Sequence, residues 1–543
     1  MPTTVELAGA LQALSDDALD ALVRTRHVPQ HVASYFDVAE QLRRPESVAA
    51  ALEGVRDDEL VALATGATTP RLDALGLGVA GVALDEARRQ AAAAPAGEGA
   101  RETPTASPDD ARAAERAFAT VLLVGEVVRA ALEQPIQMLA RGAVAMADAR
   151  RLAEALATDA DAVLDAVAIA RAAGLLAVRD AALVASTAAE GWLGAPLPAR
   201  WLRLRDGWLA AIEWAERAVA TAPDAAPAAA RFPLAGAATL ERLATAAARA
   251  ARLGIRDGAA TSLAGDGADA VLDALVPHEI DRAYVQPDLS IVVPGPLQPA
   301  LESRVRLVAD LEQRGTASTY RMSLASLSRG LAAGEDEASI LGLLDAISLT
   351  GVPQPVAYLV RDAAARFGSV RVLALADGPD RTAVRAEPAL IAELAVDHGL
   401  APLRMREESP RRLVTRAEPA MVLAALRARR YPAAVEDAEG ELLAPARHVA
   451  EVLAPPPTPL VQRLRGSGFD VGGEERAWLE RRLQVAARER VSVQVRVDVG
   501  GEERELALLP LGVANGRLRA RDLASDVERT LPVTAITHLT GVP

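Results

Sequence analysis

The sequence predicts a multidomain chain that is mainly α-helical, with an α/β block in its second half and a small β-barrel at its C-terminus. Half of the 543 residues are hydrophobic but only 3% are aromatic, so the cores must consist of Ala, Leu and Val. Ala and Leu have high helix propensity, which favours helices. Between residues 281 and 440, apolar strand-like runs alternate with helical patterns. Residues 491–540 contain short apolar runs separated by glycine turns, which is typical of a small β-domain.

Segments rich in Pro, Gly and Ala divide the chain into blocks. Residues 91–113 and 221–230 have low complexity and are interpreted as linkers, and residues 454–460 carry a proline run that should be stiff and extended. The first block, residues 1–90, is predicted to be a small helical module. Its second helix is expected to begin at Ser15, whose hydroxyl can cap a helix that starts with two aspartates.

Residues 114–218 predict a winged-helix-like domain. Helices are expected over Ala147–Leu156 and from a cap at Thr158 or Asp159 to about Ala172, followed by a two-stranded hairpin at residues 175–184. The second helix would be the recognition helix, but it carries three aspartates and one arginine, so protein contact or packing is favoured over DNA contact. Four tryptophans that follow are interpreted as core residues: Trp192, Trp201, Trp208 and Trp214.

Residues 232–280 repeat this pattern more loosely and predict a degenerate second winged unit. The α/β block then covers residues 281–440. A strand pair is expected at Tyr284–Val293, a helix at Pro299–Arg314 and a strand at Ala401–Arg406.

Three segments of this block carry a family resemblance: DRAYVQPDLSIVVPGPLQP (residues 281–299), LEQRGTASTYRMSLASLS (residues 311–328) and VPQPVAYLVRDAAARFGSVRV (residues 352–372). They resemble the signature of helicase-associated proteins whose core is similar to the N-terminal domain of XPB-type (XPB/Ssl2) DNA-repair helicases. The resemblance implies an XPB helicase N-terminal-like domain over residues 281–440 and a role in DNA repair, with the motor half of such a helicase missing.

Residues 461–543 predict a helix at Glu474–Glu489 and about five short strands, with a strong hairpin signal at Asn515-Gly516. This order resembles a WYL-like domain with an Sm/SH3-like barrel. Residues Leu518, Arg519 and Ala520 stand where that family carries Trp-Tyr-Leu, and Ala535 stands where it carries an arginine. The departures put a ligand- or nucleic-acid-sensing role of this domain in doubt.

Several classes of chemistry are excluded or disfavoured by the residues present. The chain has no Cys, which excludes disulfides and thiolate chemistry. It also has no Lys, which excludes a Walker A lysine and Schiff-base chemistry. His27 and His31 have metal-ligand spacing, but Pro29 breaks the helix that would align them. We therefore predict no catalytic residues, no metal site and no cofactor, and a chain that is not an enzyme.

Arginine clusters are the remaining signal. The net charge of −14 argues against simple electrostatic binding to DNA, but residues 361–430 carry 13 Arg against 9 Asp and Glu. Three arginines that alternate on one predicted strand should share a face and could follow phosphates, although a solvated outer face explains them as well. The candidate nucleic-acid-binding residues are Arg361, Arg366, Arg371, Arg404, Arg411, Arg412, Arg517, Arg519, Arg521 and Arg529.

The leading hypothesis is a non-catalytic, helicase-associated accessory protein of DNA repair that binds DNA, an XPB-type helicase or another repair protein. The alternative is a winged-helix/WYL-type transcriptional regulator or sensor, and a third hypothesis is a scaffold that touches no nucleic acid. No membrane partner is expected, because neither a signal peptide nor a long apolar run is visible, and a cytoplasmic location is expected. The oligomeric state is left open.

Overall fold

The computed structural model describes residues 2–94, 108–140, 142–313, 315, 317–376, 378–429, 431–443, 447–453, 458–466, 471–499 and 502–540. About half of this part is helical. Its α-helices are α1 (Thr4–Ala13), α2 (Asp16–Thr25), α3 (Tyr35–Arg43), α4 (Pro45–Leu52), α5 (Asp57–Thr65), α6 (Pro70–Ala74), α7 (Asp85–Ala92), α8 (Asp110–Glu133), α9 (Met146–Ala155), α10 (Ala160–Ala172), α11 (Ala189–Leu193), α12 (Leu197–Ala211), α13 (Trp214–Ala220), α14 (Ala228–Arg231), α15 (Ala237–Arg252), α16 (Ala268–Leu275), α17 (Pro299–Val308), α18 (Leu324–Ala332), α19 (Glu337–Ile347), α20 (Gln354–Arg366), α21 (Pro388–Val396), α22 (Pro419–Ala428), α23 (Pro459–Gly466) and α24 (Val471–Glu489).

The strands of the described residues form several separate sheets. In chain order they are β1 (Gly78–Val79), β2 (Val82–Ala83), β3 (Ile136–Gln137), β4 (Leu176–Arg179), β5 (Ala182–Ser186), β6 (Arg256–Asp257), β7 (Ala259–Ala260), β8 (Tyr284–Val285), β9 (Ser290–Val293), β10 (Asp310–Gln313), β11 (Ser318–Arg321), β12 (Val370–Ala374), β13 (Thr382–Ala386), β14 (Arg406–Ser409), β15 (Arg412–Thr415), β16 (Ala433–Glu436), β17 (Leu442–Leu443), β18 (Val449–Ala450), β19 (Val493–Val499), β20 (Glu502–Ala514), β21 (Arg517–Asp522), β22 (Val527–Pro532) and β23 (Ile536–Thr540).

The chain folds as two compact units. The first unit combines residues 1–104, 225–245 and 454–543, and the second combines residues 105–224 and 246–453. The first unit therefore joins the two ends of the chain. The finer block boundaries drawn from the sequence stay predictions.

The first unit has one core to which both ends of the chain contribute. Phe36 of α3 stacks on Trp478 of α24, with ring centroids 5.9 Å apart. Arg465 of α23 donates to the carbonyl oxygen of Gln12 and to the hydroxyl of Tyr35, at 2.8 and 3.1 Å. The N-terminal helices and the C-terminal helices thus bury their apolar faces against each other.

The structure does not show the predicted C-terminal β-barrel. In the described residues the five strands form an open sheet in the order β22-β21-β20-β19-β23, and no pairing joins the edge strands β22 and β23. A barrel requires its edges to pair. Here the apolar face of the sheet is covered instead by α24, whose Leu479 and Leu483 share a core with Val495 and Leu518.

The second unit begins with helices and a hairpin at the positions predicted from the sequence. Asp159 caps α10 by accepting the N–H of Ala162 at 2.6 Å, and Gly174 ends the turn after α10 with a φ of 69°. The hairpin β4–β5 follows as expected, with β3 on the other side of β5. The side chains of Trp192, Trp201 and Trp208 are buried, which confirms that they are core residues, whereas Trp214 is only partly buried and lies outside the core.

The α/β block contains two sheets with separate cores. The first is four-stranded, in the order β10-β11-β9-β8, and packs with α17–α20. The second is six-stranded, in the order β14-β15-β13-β12-β16-β17, and packs with α21 and α22. Two predictions are wrong here. The helix α17 ends at Val308, because β10 pairs with β11. The predicted strand Ala401–Arg406 instead begins in a 3-10 helix that ends at Leu403, and only Arg406 belongs to a strand.

A group of buried charged residues connects α8 and α12 with α17. Arg306 donates to both carboxylate oxygens of Glu126, at 3.0 and 2.5 Å, and to Glu302 at 2.8 Å. Arg129 lies 3.4 Å from Glu302, and Arg200 lies 3.9 Å from Glu279. We call these residues the buried ion cluster: Glu126, Arg129, Arg200, Glu279, Glu302 and Arg306.

Candidate nucleic-acid interface

One face of the six-stranded sheet is covered by helices. On this face Val372 of β12, Val384 of β13 and Leu413 of β15 share a core with residues of α21 and α22. Side chains alternate between the two faces of a strand. The neighbouring residues of these strands must therefore point to the opposite face, and this is where the arginines are.

Three arginines stand side by side on that opposite face. Arg371 of β12 is directly opposite Arg385 of β13, and Arg385 is directly opposite Arg412 of β15. Arg406 of β14 is paired with Val414, which places it on the same face. Adjacent strands are separated by about 5 Å, so the side chains of these three paired arginines form a row across the sheet. We call Arg371, Arg385, Arg406 and Arg412 the arginine face.

This arrangement is electrostatically unfavourable by itself. Like charges directly opposite each other destabilise a sheet. The buried carboxylate of Glu436 on β16 offsets part of the repulsion, because it lies 2.9 Å from Arg385 and 3.5 Å from Arg371. Two arginines therefore share one acid.

The other two arginines have their own acids. Arg412 pairs with Glu408 and Arg406 pairs with Asp380, each at 3.0 Å. Four arginines thus face three carboxylates. Their side chains remain between 31% and 64% exposed, so each of them is partly accessible to solvent. Exposed pairs of this kind contribute roughly 0–1 kcal/mol, so exchanging a carboxylate for a ligand phosphate costs little.

The remaining predicted arginines of the second unit lie apart from this row. Arg361 and Arg366 are on α20, where they pair with Glu337 at 3.5 Å and with Asp362 at 2.9 Å. Arg404 follows the 3-10 turn with a φ of 49° and is exposed. Arg411 lies in the β14–β15 turn and reaches Glu387 at 3.0 Å. Of all the arginines predicted as binding residues in the second unit, only Arg371 and Arg412 belong to the arginine face.

The predicted arginines of the first unit form a second, separate row. On β21 the exposed residues alternate with the buried residues Leu518, Ala520 and Asp522, so Arg517, Arg519 and Arg521 share one face as predicted. Arg519 pairs with Glu528 at 2.7 Å, and Arg521 lies 3.8 Å from Asp526.

Arg529 does not belong to that row. It is opposite Ala520 in the register and pairs with the buried carboxylate of Asp522 at 2.8 Å. It therefore lies on the other face of the sheet and stabilises the fold there. Grouping Arg529 with the three exposed arginines is not supported by the geometry.

Sequence reasoning missed Arg385 and Glu436 as members of the site. The strand Thr382–Ala386 was not predicted, because its run TAVRA is short and contains three residues with little strand preference. The sheet face on which Arg385 lies could therefore not be predicted. The signal that could have found it is the apolar-Arg-apolar alternation that β12 and β13 share, namely VRV at residues 370–372 and VRA at residues 384–386.

The predicted recognition helix is packed on both sides within its own unit. The helix α10 contacts α8, α9 and α12, and its Asp165 pairs with Arg249 and Arg252 at 2.8 and 2.9 Å. The hairpin is also engaged, because β18 pairs with β5 and Arg179 donates to the carbonyl oxygen of Val449 at 3.2 Å. The acidic sequence of α10 and these contacts agree in favouring packing over DNA contact.

Residues 283–409 match the protein family described as "helicase conserved C-terminal domain". The match covers the four-stranded sheet and continues into the six-stranded sheet as far as β14, so it includes three residues of the arginine face. It supports a helicase-associated family. No curated protein matches the chain.

Metal sites and membrane-spanning helices have no candidate in the described ranges. No group of three or more His, Asp or Glu side chains there could hold a metal ion. No helix in the same ranges is long and apolar enough to cross a membrane.

Proposed function

We propose that this protein is a non-catalytic, helicase-associated accessory protein of DNA repair that binds DNA through the arginine face. The observation that carries the proposal is the row Arg371–Arg385–Arg412. It places three partly exposed like charges side by side on one sheet face, although the whole chain is acidic. A phosphate backbone would relieve this repulsion.

Arginine is well suited to that contact. Its planar guanidinium group presents several donors and can hold a phosphate with two parallel hydrogen bonds. Because Arg371 and Arg385 share one carboxylate, donors remain for a ligand. The contact would be made to the backbone and would carry little sequence preference.

The proposal of a non-catalytic role rests on the absence of lysine from the sequence. Motor helicases hydrolyse ATP, and the phosphate-binding loop that serves this reaction uses a lysine on the β- and γ-phosphates. An XPB-type helicase or another repair protein would then supply the motor, as the resemblance of residues 281–372 implies.

The test combines two assays on the full chain. Fluorescence anisotropy with single-stranded, duplex and forked DNA should show binding that weakens as salt is raised. ATP hydrolysis measured with and without the same DNA should stay at the level of a protein-free control. DNA-stimulated ATP turnover would refute the non-catalytic role, and absence of binding to every form at low salt would refute DNA binding.

The transcriptional regulator is the less well supported function. It needs a recognition helix with a free face, whereas α10 is packed against α8, α9 and α12. Tight binding of the full chain to one particular duplex, with little affinity for unrelated DNA, would favour it over the accessory role.

A further inference from the structure

A small cavity lies in the second unit between α18, α20 and the segment from the end of α22 to β16. Its volume is about 40 Å³, which is room for a few water-sized groups. It is separate from the arginine face, since Ala433 points to the helix-covered side of the six-stranded sheet. The lining residues are Leu324, Ala325, Ser328, Ala363, Arg366, Arg427, Tyr431, Pro432 and Ala433.

Arg427 is the most informative residue of this cavity. It is half-buried, and within the described part of the chain no carboxylate lies within ion-pair distance of it. Burial and the positive charge of Arg329 lower the pKa of the Arg427 guanidinium. A half-buried cation without a counter-ion has lost part of its hydration, and an anion in the cavity would offset that loss.

The two arginines that line the cavity have one ion pair between them. Arg366 pairs with Asp362 at 2.9 Å, whereas Arg427 has no ion pair in the described part of the chain. Arg366 uses its Nε atom for that pair, so its other donors remain for a ligand.

The helix dipole does not explain this arrangement by itself. An arginine in the last turn of α22 is favoured by the negative end of the helix dipole. The helix dipole explains why Arg427 stands at the end of α22. It does not explain why Arg366 lines the same cavity. The first two residues of α18, Leu324 and Ala325, also line the cavity, and the start of a helix adds partial positive charge.

We propose that this cavity binds a single tetrahedral oxyanion of the phosphate class, held by Arg427 and Arg366. The inference goes beyond the proposed function and stands whether or not the arginine face binds DNA. The anion can come from two sources, a free phosphate compound or one phosphate of a nucleic-acid backbone. Both present the same charged oxygen atoms to the two guanidinium groups.

The first experiment is thermal unfolding of the full chain with inorganic phosphate, compared with chloride at equal ionic strength. A ligand that binds the folded state raises the unfolding temperature, and the rise grows with the logarithm of the ligand concentration relative to its dissociation constant. We expect a phosphate-specific rise in the wild type. The variant Arg427→Gln keeps most of the side-chain stem and should weaken phosphate binding about tenfold or more, because it removes a charge-assisted hydrogen bond.

Two further variants make the test decisive. Arg366→Gln changes an exposed side chain and should reduce the phosphate effect without lowering the unfolding temperature in chloride, which covers the case in which Arg427→Gln is unstable. The control Arg282→Gln changes an arginine outside the cavity and should keep the full phosphate effect. Equal shifts in phosphate and chloride, or a full phosphate effect in both cavity variants, would overturn the proposal.

The source of the anion is decided by a DNA titration of Arg427→Gln. A fall in DNA affinity that parallels the fall in phosphate affinity identifies the cavity as an anchor for one backbone phosphate. Unchanged DNA affinity, with phosphate binding lost, identifies a free phosphate compound as the ligand. Both results support the oxyanion site and they separate its two sources.

Discussion

The buried ion cluster and the arginine face use the same side chain for opposite purposes. Arg306 is largely buried, holds Glu126 with two hydrogen bonds and holds Glu302 with a third. Arg385 is half-exposed and shares the carboxylate of Glu436 with Arg371. In a chain without lysine, the residue type cannot tell a structural cation from a functional one. The burial and the charged neighbours of each arginine determine whether its role is structural or functional.

The two regions also differ in how much stability is lost when one member of an ion pair is removed. Burial would lower the pKa of Arg306, but the carboxylates of Glu126 and Glu302 together raise it. Burial and Glu302 raise the pKa of the Tyr320 hydroxyl beside the cluster. Removing one charge there leaves its partners buried and unpaired, which is strongly destabilising. On the arginine face, Arg406 and Arg412 pair with partly exposed carboxylates, so water can replace a lost partner there.

The largest expected effect is the loss of stability in Arg306→Leu. We expect the free energy of unfolding to fall by roughly 3–5 kcal/mol, because Glu126 and Glu302 would lose their main counter-ion in a buried place. Urea unfolding followed by circular dichroism measures this change. The matched variant Arg406→Gln, which changes an exposed side chain of the arginine face, should cost less than about 1 kcal/mol. Equal costs in the two variants would contradict the distinction between the regions.

A smaller effect on stability should depend on pH. Asp257 accepts hydrogen bonds from Arg112, from the N–H of Asp109 and from Arg116, and these hold the pKa of its carboxyl at about 2. An unfolded Asp has a pKa of about 3.9, so the stabilisation is fully present above that pH and is lost as the pH falls through about 2.

The variant Asp257→Asn tests that dependence. We expect it to lower the free energy of unfolding at pH 6 by roughly 1–2 kcal/mol, and the difference from the wild type should shrink steadily towards pH 3. Urea unfolding at pH 6, 4 and 3 measures it. A difference that does not change over this range would show that the carboxylate charge is not the cause.

The variant Glu436→Gln should increase DNA affinity. Replacing it by Gln removes the acid that Arg371 and Arg385 share and leaves both cations to the ligand. We expect DNA affinity to rise about 2–5-fold at low salt, at some cost in stability. Fluorescence anisotropy measures the affinity. Weaker DNA binding in a folded Glu436→Gln variant would speak against the arginine face as the contact surface.

The smallest effect should come from the row on β21. Arg517, Arg519 and Arg521 are spaced along one strand by about 7 Å, and two of them have an acid beside them. Their combined change to Gln should alter DNA affinity within about threefold. The same anisotropy assay checks this. A larger loss than that from the arginine face would move the interface to the first unit.

Local features could be read from the sequence because they depend on neighbouring residues. Caps at Ser15 and Asp159 follow from short polar side chains before helical patterns, and the structure confirms both. The alternation on β21 follows from the period of a strand, and the structure confirms it as well.

Features that depend on distant residues could not be read in this way. The union of the two chain ends in one unit rests on contacts such as Phe36 with Trp478, which no local pattern signals. The open C-terminal sheet has the same origin, because α24 covers the face that a barrel would enclose. The helix predicted to reach Arg314 ends at Val308 because β10 finds its partner in β11.

The candidate site also combines a feature that the sequence shows locally with one that depends on distant residues. Its arginines are visible in the sequence as a local excess over residues 361–430. Which of them stand together depends on the register of β12, β13 and β15, and that register arises only in the folded sheet. The cavity beside Arg427 is likewise formed by three helices that are distant in the chain.

The most direct test of the account is the salt dependence of DNA binding by the full chain and by the variant Arg385→Gln/Arg412→Gln. Each lost phosphate contact lowers the slope of log affinity against log salt by about 0.9 for duplex DNA. We predict a lower slope and weaker binding in the variant, and unchanged binding in the control Arg282→Gln. An unchanged slope and affinity in the double variant would contradict the arginine face as the DNA-binding surface.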